Sequence, residues 1–273
     1  MQKEALKKTC YIGGAGAFGV FFRWLQTQVA FNDEGLPNPS VFNVLVPLVI
    51  VAAGVLFFRF ARGYKDGRYY LPSSFSGALR CEGPVYTALR WVIGVVMCLG
   101  ALALFAACEA DKNVGFYRAV AVLGFFSGAA FPFFLGETLR EEPRYKLVCV
   151  LGVLPMLLFA MWLVTCYKVN SINGVLWSYG IEIVACCFLL LAFFSVGGFA
   201  FSSPDPWHSI FYCMFAAFLA FVCLADGRYI GMQIMLIAAA EMLMLYNWIM
   251  ISNLRRRKAE EAAPVEDDGF ERL

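Results

Sequence analysis

The sequence predicts an all-helical integral membrane protein with eight transmembrane helices. Hydrophobic residues make up 61% of the 273-residue chain and charged residues 15%, whereas soluble proteins contain about 25% charged residues. The apolar runs are continuous and reach the length of about 20 residues that a helix needs to cross a bilayer. Because polar residues do not alternate along these runs, helices are favoured over the strands of a membrane barrel.

Eight apolar runs divide the chain. Residues 1-8 form an N-terminal segment, residues 9-254 the transmembrane domain, and residues 255-273 a charged tail whose composition is typical of disorder. The predicted spans are 9-31, 41-61, 86-108, 114-135, 146-167, 175-201, 208-225 and 228-252. Similar stretches precede the third and fifth spans, LRCEGPVY and LREEPRY. They suggest repeated helical hairpins, with chance resemblance in an apolar chain as the alternative.

Basic residues predict the orientation of the chain. With the N-terminus inside, the inner segments hold fourteen Lys and Arg residues, and the outer connections hold three, which are Lys112, Lys168 and Arg228. Since Lys and Arg concentrate in cytoplasmic loops, both termini are predicted to be cytoplasmic in a multi-pass protein of the cell membrane.

The first span contains a nucleotide-binding signature in the wrong context. Gly14, Gly16 and Gly19 have the spacing G-x-G-x-x-G, but a dinucleotide-binding turn lies between a strand and a soluble helix. Here a second membrane span, 41-61, follows instead. These residues and Gly13 are therefore interpreted as small residues that let another helix pack closely, and no cofactor is predicted.

The composition also argues against catalysis and against nucleic acid. One histidine excludes zinc sites that need two imidazoles. The glutamates of GETLREEPRYK lack the spacing of glutamate-based membrane peptidases, and no Ser-His, paired-Asp or Cys-His set is present, so no enzymatic activity is predicted. A net charge of +2 without a basic cluster gives no nucleic-acid surface. The lipid bilayer is the predicted partner.

Most of the ten cysteines lie in or beside apolar runs and are predicted to be free thiols. Cys108 and Cys166 both fall at the outer ends of predicted spans. They are the candidate pair for a disulfide if the exterior is oxidising.

Ionisable residues inside the spans identify the candidate site. Arg23, Glu182 and Glu241 lie well within apolar runs, where a charge costs on the order of 3 kcal/mol on insertion scales, so they should face protein or water. Arg23 and Glu182 lie at similar depths below the outer surface, and we therefore expect them to contact each other.

The predicted intramembrane polar site consists of Arg23, Gln26, Glu182, Gln233 and Glu241. One hypothesis is that this site binds a small solute or ion, or moves it through the bundle. The alternative is a non-transporting membrane-embedded sensor or assembly partner, in which the same residues form a buried ion pair and a protonated Glu241. A polar connection from Arg23 and Glu182 to Glu241 would favour the first hypothesis.

Overall fold

A computed structural model describes residues 2–30, 38, 40–64, 69–72, 74–171, 175–201 and 203–256. The described residues form nine α-helices, a 3₁₀ turn at Cys223–Ala225 and a short antiparallel pair of strands. The helices are α1 (Gln2–Val29), α2 (Phe42–Arg62), α3 (Phe75–Leu79), α4 (Pro84–Ala107), α5 (Val114–Glu137), α6 (Tyr145–Val169), α7 (Leu176–Gly198), α8 (Pro206–Val222) and α9 (Ile230–Ser252). The strands are β1 (Tyr69–Tyr70) and β2 (Arg255–Arg256). The predicted disordered tail lies, from residue 257 onward, outside the described residues.

Seven helices are long and apolar enough to cross a membrane: α2, α4, α5, α6, α7, α8 and α9. The chain is therefore a polytopic membrane protein. The predicted first span, 9-31, corresponds to α1, which is 28 residues long but less apolar. Four glycines dilute its hydropathy, and Arg23 and Gln26 lower it further. Eight spans are thus not confirmed.

Helix α9 lies at the centre of the bundle. It packs against α4, α8 and α1, while α2 lies at the periphery against α1 and α8. In its most apolar stretch, 72% of the residues of α9 are buried, against 17% in α2. The core is therefore built around α9, and α2 presents most of its surface to lipid.

Glycines allow the backbones of α4, α5 and α9 to touch. A Cβ atom on Gly94 of α4 would lie 2.7 Å from the carbonyl oxygen of Gly128 in α5. A Cβ atom on Gly231 of α9 would lie 2.3 Å from the backbone nitrogen of Leu104 in α4. Such approaches are typical of membrane helices, whose packing depends on close van der Waals contact.

Two glycines of α1 also allow close packing with a neighbouring helix. A Cβ atom on Gly16 would lie 2.6 Å from the ring of Phe221, and one on Gly19 would lie 2.7 Å from Val222. Space around Gly14 is open. The helix-packing interpretation is thus confirmed at Gly16 and Gly19, and α1 continues as a helix through the motif, where a nucleotide-binding turn would interrupt it.

The connections alternate between two ends of the bundle. We call the Arg228 end the side that holds the connections at 108–113, 170–175 and 223–229, and the Arg80 end the side that holds those at 63–83, 138–144 and 199–205. Adjacent helices form antiparallel pairs, but the hairpin repeat is not confirmed. Helix α4 packs on both α5 and α9, whereas α6, its counterpart in the predicted repeat, packs on α5 and α7.

Candidate functional site

Four charged side chains are linked in series at the Arg228 end. Arg23 of α1 donates from Nε to Oδ1 of Asp226 at 2.8 Å. The other oxygen of Asp226 accepts from Nη2 of Arg228, also at 2.8 Å. Arg228 in turn forms an ion pair through Nη1 with Glu182 of α7. We call this set of two cations and two anions the charge chain.

The charge chain is buried. The side chains of Arg23, Asp226, Arg228 and Glu182 are 1%, 7%, 12% and 5% exposed, respectively. A buried charge without a partner is strongly destabilising, but two opposite charges with good hydrogen bonds compensate for each other. The four residues therefore stabilise one another as a unit with no net charge.

Both carboxylate oxygens of Glu182 accept hydrogen bonds from α6. The indole Nε1 of Trp162 donates to Oε1 of Glu182 at 2.8 Å, and the thiol of Cys166 donates to Oε2 at 3.0 Å. Trp162 and Cys166 are four residues apart, so both lie on the helix face that meets α7. Cys166 is a free thiol, as is Cys108, which contacts the carbonyl oxygen of Phe105. The structure therefore does not contain the candidate disulfide.

Two glutamines of the predicted site support the charge chain. Gln26 accepts from Nη1 of Arg23 at 2.7 Å and donates to Asn43 of α2 at 3.1 Å. Gln233, at the end of the first turn of α9, donates to the carbonyl oxygens of Leu224 and Asp226 at 3.4 and 3.3 Å. Gln233 thereby fixes the connection on which Asp226 and Arg228 lie.

The structure separates Glu241 from the other predicted site residues. Glu241 lies about two turns beyond Gln233 on α9, is partly buried, and has no hydrogen bond or ion pair within the described part of the chain. The predicted direct contact between Arg23 and Glu182 is wrong. Asp226 and Arg228 lie between them, because the connection before α9 folds over the ends of α1 and α7.

Sequence reasoning missed Asp226 and Arg228 as site residues. On the sequence alone, Arg228 is only a basic residue of an outer connection, and Asp226 lies between two predicted spans. Neither residue is therefore a candidate from the sequence. The useful signal is the shortness of the ADGRY connection between two long apolar runs. A connection of this length cannot carry its charges away from the helix ends, so they must find partners there.

The pKa values of two residues in this connection are shifted. Burial lowers the pKa of Arg228, but the nearby carboxylates of Glu182 and Asp226 raise it more, and the net shift is upward. Arg228 is therefore a permanent cation. The hydrogen bond that Tyr229 donates to Asp111, at 2.7 Å, raises the pKa of the tyrosine above its usual value.

A cavity of about 580 Å³ at the Arg228 end reaches the charge chain. Glu182, Asp226 and Arg228 are among its lining residues. The remaining lining residues are Tyr117, Thr165, Cys166, Val169, Asn170, Ser178, Tyr179, Gly227, Tyr229 and Met232. The volume lies within the range of about 300 to 1,000 Å³ that is usual for small-molecule sites.

The fold and this site define a class: a polytopic membrane protein with a buried, balanced charge chain, three residues of which line a cavity. Among the described residues, no group of three His, Cys, Asp or Glu side chains could hold a metal ion. Comparison with protein families, curated proteins and solved structures found no match to the chain.

Proposed function

We propose that this chain is an eight-span protein of the cell membrane that binds a small polar solute in the cavity at the Arg228 end. The observation that carries the proposal is the position of Glu182, Asp226 and Arg228 in the cavity wall. Glu182 lies within α7, and ionisable residues at membrane depth are expensive and generally mark solute sites or ion pathways. An ion pair with a purely structural role would not need a cavity beside it.

The contacts of α1 support its role as the eighth span. It packs against α8 through Gly16 and Gly19. Its opposite surface presents Phe18, Phe21 and Trp24, each about half exposed, as expected for a lipid-facing helix. The charge of Arg23, which lowers the hydropathy of α1, is neutralised by Asp226.

The proposed orientation places both termini and the Arg80 end in the cytoplasm, and it follows from the distribution of basic residues. Ser171 and Glu82 are both exposed and lie at opposite ends of the bundle. In a cysteine-free background and intact cells, a cysteine at Ser171 should react with an impermeant thiol reagent, and one at Glu82 should not. The reverse pattern would overturn the orientation.

The polar connection from Arg23 and Glu182 to Glu241, which would favour movement of a solute through the bundle, is absent from the described residues, so we propose binding from one side. The charge chain continues to Gln26 and Asn43 at the same end of the bundle, while Glu241 has no polar contact in the described residues. No catalytic step is proposed, because both oxygens of Glu182 and both of Asp226 already accept hydrogen bonds or ion pairs. Neither carboxylate is free to act as a general base.

Blocking the cavity tests the proposal. Val169 lines the cavity near the end of α6, and Tyr167, two residues earlier, is 65% exposed and outside it. Purified protein in lipid nanodiscs would be screened by thermal unfolding against amino acids, organic acids, amines, sugars and nucleosides. We expect at least one solute to stabilise the wild type and the Tyr167→Trp control but not Val169→Trp. The proposal fails if every stabilising solute acts equally on all three proteins, or if none stabilises the wild type.

A further inference from the structure

An apolar crevice of about 630 Å³ lies between α1 and α2, with Phe218 of α8 at its floor. We call it the α1–α2 crevice. Its other lining residues are Tyr11, Ala15 and Phe18 of α1 and Leu48, Val49, Ala52, Ala53, Leu56, Phe57 and Phe60 of α2. Large side chains of this wall remain half exposed, with exposed fractions of 64% for Tyr11, 55% for Phe18 and 59% for Leu48. The described part of the protein therefore leaves the crevice unfilled.

The length of the crevice matches one leaflet of a bilayer. Its lining residues on α2 run from Leu48 to Phe60, which at 1.5 Å per residue corresponds to about 18 Å. Half of a hydrocarbon core of about 30 Å is about 15 Å. Phe60 lies close to the end of α2 at Arg62, and Leu48 lies well inside the helix. The crevice therefore opens toward the Arg80 end and has the length of one acyl chain.

Basic residues surround the crevice where it reaches the Arg80 end. They are Lys7 and Lys8 of α1 and Arg59 and Arg62 of α2, and we call them the basic group. The two lysines lie one turn before Tyr11, which lines the crevice. Lys7, Arg59 and Arg62 are exposed and form no ion pair within the described part of the chain. Their charges are therefore available to a ligand that lies in the crevice.

A direct contact joins the two helices at this end. Lys8 donates a hydrogen bond to the hydroxyl of Tyr64, and its Nζ lies 4.5 Å from the centroid of the same ring. Tyr64 meets Tyr69 edge to face at 6.3 Å, and tyrosine is a common residue at the membrane surface. The described side chains of residues 5–11, 57–64 and 69–72 include no Asp or Glu. The basic group therefore lacks the carboxylate partners that balance the charge chain.

We propose that the α1–α2 crevice binds an anionic phospholipid, with an acyl chain between the helices and the phosphate at the basic group. The proposal concerns a different surface from the solute cavity, and it rests on the proposed place of α1 in the membrane. Basic pockets between membrane helices bind anionic headgroups, and both Lys and Arg hydrogen-bond phosphate oxygens. A zwitterionic lipid with the same chains fills the crevice equally well but gains less from the basic group.

Three probes separate the headgroup charge from the acyl chains: dioleoyl phosphatidylglycerol, dioleoyl phosphatidylcholine and glycerol 3-phosphate. Binding to the full chain in detergent would be measured by native mass spectrometry. We expect phosphatidylglycerol to bind at least about fivefold more tightly than phosphatidylcholine, the factor expected for one Lys or Arg near an anionic surface. Glycerol 3-phosphate, which lacks acyl chains, should not bind. Equal binding of the two lipids, or binding of glycerol 3-phosphate as tight as that of phosphatidylglycerol, would overturn the proposal.

Filling the crevice tests the position of the acyl chain. Ala52 lines the crevice, and its neighbour Val51 is 64% exposed and outside it. Ala52→Trp should weaken the binding of phosphatidylglycerol, while Val51→Trp should retain the wild-type affinity. Equal binding by the two variants would show that the lipid lies elsewhere. If the wild type forms a dimer that only Ala52→Trp loses, the crevice holds a second copy of the chain and the lipid proposal is wrong.

Neutralising charge tests the position of the headgroup. Arg59→Gln/Arg62→Gln should lower the preference for phosphatidylglycerol at least about fivefold. The matched control is Arg144→Gln/Lys146→Gln, which removes two exposed charges at the same end, at the start of α6, and should keep the preference. An equal loss in both double variants would mean that the lipid responds only to the overall surface charge.

The lipid and solute proposals fail separately, because no residue lines both cavities. Loss of lipid selectivity leaves the effect of Val169→Trp on solute binding unchanged. If Arg59→Gln/Arg62→Gln does not fold, the wild-type lipid preference and the comparison of Ala52→Trp with Val51→Trp still decide the proposal.

Discussion

The charge chain at the Arg228 end and the Arg80–Glu82 pair at the other end differ in their exposure to solvent. At the Arg228 end, the side chains of the charge chain are 1% to 12% exposed and contact one another across two helices and a connection. At the Arg80 end, Arg80 and Glu82 form an ion pair of 2.6 Å, but their side chains are 56% and 66% exposed. Both ends have cavities of similar volume, about 580 and 550 Å³.

The difference shows why the candidate site is assigned to one end only. An exposed ion pair contributes about 0 to 1 kcal/mol and is screened by salt. Removing one partner from a buried pair costs roughly 3 to 5 kcal/mol, because a charge is left without compensation. The buried charges that line the cavity at the Arg228 end are therefore held in one geometry, whereas the side chains of Arg80 and Glu82 lie mostly in solvent.

The largest effect should come from breaking the charge chain at Arg23 and Asp226. We expect Arg23→Leu and Asp226→Leu each to lower the free energy of unfolding by about 3 kcal/mol. The double variant should recover part of this loss, with a coupling of about 1 to 3 kcal/mol. Unfolding of the four proteins in detergent measures the cycle. Simple additivity would mean that the two side chains do not stabilise each other.

Glu182 and Glu241 both lie in membrane-spanning helices, and only Glu182 belongs to the charge chain. Glu182→Leu should destabilise strongly, by about 3 kcal/mol, since it leaves Arg228 with one carboxylate fewer and Trp162 without its acceptor. Glu241→Leu should be at least as stable as the wild type, because no partner in the described residues is left behind. Thermal unfolding of both variants in one lipid nanodisc preparation gives the answer. Equal losses would mean that Glu241 also has a buried partner.

A smaller effect is expected at Tyr229, which lines the cavity. Tyr229→Phe removes the hydrogen bond to Asp111 and should cost about 1 kcal/mol at neutral pH. Because the pKa of Tyr229 is raised in the folded protein, its contribution is complete below the unfolded value of about 10. The contribution is lost as the pH rises through the folded value. The gap in unfolding temperature between wild type and Tyr229→Phe should therefore narrow at high pH, and a constant gap would contradict the assignment.

The smallest effect is expected at the Arg80 end. Arg80→Ala should change the free energy of unfolding by less than about 0.5 kcal/mol, since its partner Glu82 is mostly in solvent. A loss comparable to that of Arg23→Leu would remove the contrast between the two ends.

The sequence predicted the helices well because apolar length alone determines where a chain can cross a bilayer. Arg23, Gln26, Glu182 and Gln233 were candidates because each is a polar residue in an apolar run, and the structure brings them together at the Arg228 end. The sequence could not show which charged side chains contact each other. Arg23 and Asp226 are 203 positions apart, and equal depth suggested Glu182 as the partner without regard to the connection that folds between them.

Glu241 satisfied the same sequence criterion and does not join the site. Depth in a span says nothing about which side of the helix a residue occupies, and Glu241 lies away from the cavity lining. The contacts of Gly94 with Gly128 and of Gly231 with Leu104 were also beyond the sequence. They depend on which helices are neighbours in space.

The central claim is that solvent reaches the cavity above the charge chain from the Arg228 end. The most direct measurement is the labelling rate of a single cysteine at Val169, in a cysteine-free background, by a small impermeant anionic thiol reagent. Cysteine at Ser171, exposed at the same end, is the accessible control. We predict that Val169→Cys reacts from the outside, as Ser171→Cys does. No reaction at Val169 under conditions that label Ser171 would contradict the account.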